Sequence, residues 1–142
     1  MAKFKAEIPA DVVDTLINIY DNYDRIVGQM TRAGAEKVYQ NVKDNLPNGI
    51  RDSEMIHCVK ISKTYKTPSD DGINTKVGIW GYFRNKDGKV TPAPLVANVF
   101  EYGRSGLPFP TQPFFRKAFK AKEIEKILLE EQEKAMNEVT KK

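Results

Sequence analysis

From Pro9 to about Asn45 the chain keeps one period for 37 positions, and this constrains the fold more than anything else in it. Val12, Val13, Leu16, Ile17, Tyr20, Tyr23, Ile26, Val27 and Met30 recur three and four residues apart, the repeat of an amphipathic helix. Pro9 suits a first helical turn, where its missing N–H costs nothing. The spacing predicts one long helix or two, with Gly34 either breaking the run or thinning it. Leu46-Pro47-Asn48-Gly49 ends it, because proline disfavours helical geometry at its predecessor and Asn-Gly is a strong turn pair. A helix of this kind needs an apolar surface to lie on.

The middle of the chain supplies strand patterns. Met55 to Tyr65 alternates in part, and Thr75 to Phe83 alternates better, with Val77, Ile79 and Gly81 on one side and Gly78, Trp80 and Tyr82 on the other. Lys66 to Gly72 between them is rich in turn residues and predicts a long, mobile hairpin loop. Asp87-Gly88 predicts a second turn, with a short strand at Val90. Leu95, Val96, Val99 and Phe100 have helical spacing, and Gly103 sits where a helix cap would be, so Pro92 to Tyr102 is read as a short helix. From Pro113 the positions of Phe115, Ala118, Phe119, Ile124, Ile127 and Leu128 predict a long C-terminal helix. The fold class expected is α+β, a small antiparallel sheet of three or four strands packed against a long N-terminal helix and a long C-terminal helix. With 142 residues this is one domain, 1–142, with a flexible arm at 1–8 and a frayed end at 139–142.

Two segments of this pattern stand out together. Ala97 to Gly106 closes on Glu101-Tyr102-Gly103, and a Gly/Pro loop leads to Gln112-Pro113-Phe114-Phe115 at the expected helix start. An Ala…Glu-aromatic-Gly turn followed by Gln-Pro-Phe resembles the neck and tail-completion proteins, the head-tail joining family of long-tailed bacteriophages, and the layout of the rest of the chain is similar. The resemblance implies a structural virion protein, made in the host cytoplasm, that forms a ring of its own copies, expected to be a hexamer, between the tail tube and the head-side connector proteins. Lambda-type tail terminators share the layers and the class of role, and the sequence leaves completion and termination both open. Ring interfaces are heterologous, joining two different patches of each subunit. The loops at 66–74 and 103–112 are the expected places for such contacts.

Several residues are candidates for the interface. Glu101, between Phe100 and Tyr102, is a carboxylate among apolar neighbours. It either points outward or is clamped by backbone N–H groups and a cation, for which Arg104 is the nearest candidate. If the helix starts at Pro113, Phe114 and Phe115 point about 100° apart. Phe115 then shares a face with Ala118 and Phe119, and Phe114 is the partner-facing ring. Arg116, Lys117, Lys120 and Lys122 come at that helix's start and Glu123, Glu125 and Glu130 after them, the reverse of what a helix dipole favours. Local stability does not explain this order, which leaves two readings open, contact with DNA or an acidic neighbour, or a simply solvated face. Tyr102 completes the set, and within the helix Glu130 with Lys134 and Glu138 with Lys142 have the spacing of supporting pairs.

Composition bears on what is excluded. Apolar residues make up 40% and charged ones 30%, and no run approaches the roughly 18 apolar residues of a spanning helix, so no membrane partner is expected. The first nine residues lack the apolar stretch of a signal peptide, and no export is expected. Cys58 is the one cysteine, which fits a reducing compartment and a buried strand position. On a strand His57 and Cys58 would face opposite sides and could not act as a dyad. The Asp70-Asp71 pair reads as a solvated turn. No nucleophile with its base, no paired acid and base and no metal cluster is visible, so neither catalysis nor a cofactor is expected. The net charge of +4 permits non-specific contact with passing DNA. The alternative function is a small basic nucleic-acid-binding domain, with Trp80, Tyr82, Phe83 and Arg84 stacking on bases.

Overall fold

A computed structural model describes residues 7–106 and 108–140 of the chain. Most of the expected arm at 1–8, and Lys141 and Lys142 of the expected frayed end, lie outside the described residues. The N-terminal helical run is two helices, α1 (Ala10–Asp21) and α2 (Tyr23–Asp44). Asn22 separates them. Its backbone leaves helical geometry at φ −104° and ψ 11°, and both its N–H and its side-chain amide donate to Asn18 O. A side chain that competes for backbone acceptors in this way favours helix ends over helix interiors.

Gly34 does not break the second helix. α2 comes close to α5 (Ala121–Thr140) there, since a Cβ at Gly34 would stand 3.1 Å from Leu128 Cδ2. Three polar links run along this pair, Arg25 to Glu138, Gln29 to Glu131 and Lys37 to Glu123, and their order shows that the two helices are antiparallel. Lys134 also pairs with Glu131 rather than with Glu130.

The Asn48-Gly49 pair, expected as a plain turn, opens the single-turn helix α3 (Asn48–Arg51), which buries Ile50 completely. Met55 to Cys58, expected in a strand, belong instead to a 3₁₀ turn at Glu54–Cys58. Ser53 Oγ accepts the Met55 N–H at its start, and the three-residue step from Met55 to Cys58 puts both side chains inward.

The sheet expected with three or four strands is three separate antiparallel pairs. β1 (Val59–Ile61) pairs with β4 (Val77–Ile79), β2 (Tyr65–Lys66) with β3 (Ile73–Asn74), and β5 (Tyr82–Arg84) with β6 (Val90–Pro92). Val59 faces Ile79, Tyr65 faces Asn74 and Phe83 faces Thr91. The run from Thr75 to Phe83 splits because Gly81 takes φ +101°, which turns the chain between β4 and β5. Trp80 folds back over Gly78, where any side chain would collide with its ring. The segment at 66–74 is the β2–β3 hairpin with a bonded tip. Thr67 N–H donates to Gly72 O at 2.8 Å, and Asp70 Oδ1 accepts the Gly72 N–H at 2.9 Å.

α4 (Ala93–Tyr102) is the short helix read from the spacing. Its buried Ala93 and Ala97 meet α2 residues Val38 and Val42, together with Ile50, Met55 and Phe114, in one core. α1 takes no part in that core. It contributes no buried residue, so the apolar run that promised a packed helix does so only from Ile26 onward.

Candidate functional site

The two halves of the signature meet at Glu101. α4 ends there because Gly103, at φ +87°, carries the chain out of the helix, and a Cβ at that position would press on Thr111 Cγ2 at 3.1 Å. The loop that follows is pinned on both sides. Phe100 O accepts the Gln112 N–H at 2.7 Å, and the Phe100 and Phe109 rings pack edge to face with centroids 5.4 Å apart.

Pro113 has no N–H, and the three residues after it turn theirs inward. Glu101 Oε2 accepts from Phe114 N at 2.8 Å and from Phe115 N at 3.0 Å, while Oε1 accepts from Arg116 N at 3.0 Å. The carboxylate thus caps the 3₁₀ turn Arg116–Ala118 from a distant helix, doing what a neighbouring side chain does at an ordinary helix start. Burial pushes the Glu101 carboxyl up most strongly. The N–H groups of Phe115, Arg116 and Phe114, followed by the Arg116 guanidinium, together outweigh it and hold the carboxyl below its ordinary value.

Arg116, not Arg104, is the cation at this carboxylate. Its Nε lies 3.1 Å from Glu101 Oε1, its Nη2 donates to Glu101 O at 3.1 Å, and its guanidinium sits 5.0 Å from the centre of the Tyr102 ring. Half of this side chain still reaches solvent. A cation fixed by three contacts and open on its far side is ready for a partner without further ordering cost.

The expected partner-facing role of Phe114 is overturned, and Phe115 packs against the core only in part. Phe114 is 1% exposed and sits in the core, and Phe115 is half-buried, with its ring tilted against the exposed Phe119. The helical phase argument fails because these residues are not helical. The clamp and Pro113 hold them ahead of a 3₁₀ turn, and α5 begins only at Ala121. The dipole argument changes for the same reason, since Arg116, Lys117 and Lys120 all precede α5 and only Lys122 lies in its first turn. Glu101 itself is 4% exposed, so as an interface candidate it acts only through what it holds in place.

The remaining candidates, Tyr102, Arg104, Arg116, Lys117 and Lys120, are all exposed around the clamp, with Arg116 stacked on Tyr102. Phe119, expected on the core face, is exposed too and packs on Phe115, and we call these residues together the shelf. No family model matches this chain, and no match was found among curated proteins or solved structures.

His57 is exposed at the end of the 3₁₀ turn, and Cys58 is buried with its Sγ 3.6 Å from Tyr82 O, so the cysteine is interior but not on a strand. Asp70 spends a carboxylate oxygen on its own turn. Among the described residues no group of three or more His, Cys, Asp or Glu converges, and no helix is long and apolar enough to cross a membrane. Of the residues considered for base stacking, Tyr82 is exposed, Phe83 packs against the core and Trp80 lies over its own strand. What sequence reasoning missed is Arg116 as the partner of Glu101, and the uncovered face of α1. The first carried one signal, a proline just ahead of three free N–H groups.

Proposed function

We propose that this chain is a structural virion protein, a tail-completion or head-tail joining subunit that forms a ring at the neck of a long-tailed phage. The supporting observation is the Glu101 clamp. Glu101-Tyr102-Gly103 and Gln112-Pro113-Phe114 carry the resemblance, and here they form one bonded unit with a physical reason to occur together. A buried carboxylate needs donors, and a loop returning to the surface needs its N–H groups satisfied. The product is an exposed Arg116 stacked on Tyr102, a pairing of residue types enriched in protein interfaces. The proposed partners are further copies of the chain, in a ring expected to be sixfold, the tail-tube protein and the head-side connector.

The test is genetic and biochemical. In the phage that encodes it, a nonsense mutation in this gene should leave filled heads and finished tails unjoined, and adding the purified protein to such an extract should restore infectious particles. Heads and tails that join normally without it would overturn the proposal.

A further inference from the structure

α1 carries an apolar face that is exposed among the described residues. Val12, Leu16, Ile17 and Tyr20 are 44%, 56%, 50% and 82% exposed. At 100° per residue these four and Val13 lie within about 140° of the helix circumference. The half-buried positions of α1, Ile19 and Thr15, flank that arc on its Val12 side, about 20° and 60° beyond it, and the helix contacts α5. Asp11, Asp14 and Asp21 are the charges of α1, which has no lysine or arginine. An apolar helix edged with carboxylates is repelled by phosphate, so neither an anionic lipid surface nor a nucleic acid suits it. It suits a cationic protein surface that also offers apolar rings.

The shelf is such a surface. Tyr102 and Phe119 are 67% and 50% exposed, and among the described residues Arg104, Lys117 and Lys120 make no ion pair. One copy cannot bring the two together. α1 adjoins the end of α2 where Arg25 meets Glu138, whereas the shelf adjoins the other end, where Asn41 Nδ2 donates to Ala118 O. The sixteen residues from Arg25 to Asn41 span about 24 Å of helix.

We infer that α1 of one copy docks, apolar face down, on the Tyr102–Phe119 shelf of a second copy, with its aspartates against Arg104, Lys117 and Lys120. Two different patches in contact make a heterologous interface, which repeats from copy to copy and closes into a ring when the rotation allows. The inference rests on the ring reading for that closure. A twelve-residue helix face covers less than the roughly 800 Å² per partner of a stable pair. Isolated copies therefore pair weakly, and the contact gains its strength when the ring closes.

Carbodiimide, which joins carboxylates directly to amines, tests this on an equal mixture of ordinary and heavy-nitrogen chains at rising concentration. The expected result is a ladder of covalent oligomers, with peptides joining Asp14 or Asp21 of one copy to Lys117 or Lys120 of another. Lys117→Glu with Lys120→Glu should cut the ladder roughly tenfold, the effect of a modest loss of interface energy. Asp14→Lys with Asp21→Lys, in the same chain as those reversals, should restore it. Leu16→Asp with Ile17→Asp should remove the ladder and leave the melting temperature unchanged, because both side chains are exposed. Mixing that variant with Lys117→Glu/Lys120→Glu copies leaves one good interface per pair and should stop at dimers. A ladder unaffected by the Leu16/Ile17 change, cross-links joining α1 to α1, or no ladder from the unaltered chain would overturn the inference. Rings that join heads to tails without these contacts would sink it and leave the neck reading standing, whereas this ladder from a protein that fails the joining assay would do the reverse.

Discussion

The two carboxylate oxygens of Glu101 accept three backbone N–H groups and pair with the Arg116 guanidinium. Glu101→Gln keeps the shape but turns one acceptor into a donor facing N–H groups, and should cost about 2 to 4 kcal/mol of stability. The folded-state carboxyl lies below its ordinary value of 4.5, so its contribution is complete above that pH and is lost as pH falls through the lower folded-state value. Urea melts at about pH 7 and about pH 3 should therefore show the advantage of the natural chain over Glu101→Gln shrinking on the acid side. An equal gap at both would place the energy elsewhere. The need for this clamp was legible in the sequence, as an acid between Phe100 and Tyr102 at a helix end. Its partner was not, because Arg104 is nearer along the chain, yet Gly103 turns the backbone so that Arg116 arrives from the far side of the loop. The same clamp hid the roles of Phe114 and Phe115, since a helical phase has no meaning where three N–H groups bond a distant side chain.

Helices were legible where a face had something to bury. α2, α4 and α5 follow their apolar spacing, and α1 follows it too, but periodicity cannot say whether a neighbour is present. The strands were legible only as β-like composition, because what cuts them into pairs is the positive φ of Gly81 and the Ser53-capped 3₁₀ turn at Glu54–Cys58, neither of which an alternating pattern announces. Gly34 was visible as an interruption and turns out to be a point of close approach. The α2–α5 contact there gives a graded expectation. Gly34→Ala gains about 1 kcal/mol of helix propensity against a Leu128 methyl that must shift only slightly, and should be nearly neutral. Gly34→Leu must push α5 away and should lose about 1 to 3 kcal/mol, read as a lower melting temperature. If leucine is tolerated as well as alanine, the two helices do not rely on that approach.

At the scale of the whole molecule, the net charge of +4 gathers in part on the shelf, and DNA binding can report where the shelf goes on assembly. The free chain should bind duplex DNA without sequence preference, at about 10⁻⁴ to 10⁻⁶ M and falling steeply with salt. Each phosphate contact contributes about 0.9 to the slope of log K against log salt, so Lys117→Glu with Lys120→Glu should flatten it by about 1.8 if both lysines touch phosphate. Assembly then separates two arrangements. If the acid-edged α1 of a neighbour covers the shelf, those lysines are already neutralised in the ring, and affinity per subunit and slope should both fall below those of the free chain. If the shelf faces a lumen through which DNA passes, several copies act on one duplex and both should rise. Covering is the expected outcome, because α1 has three carboxylates and no cation, and the shelf has three cations free of ion pairs among the described residues. A salt titration in which the cross-linked ring binds duplex more steeply than the monomer would move the shelf from the subunit contact to the channel wall.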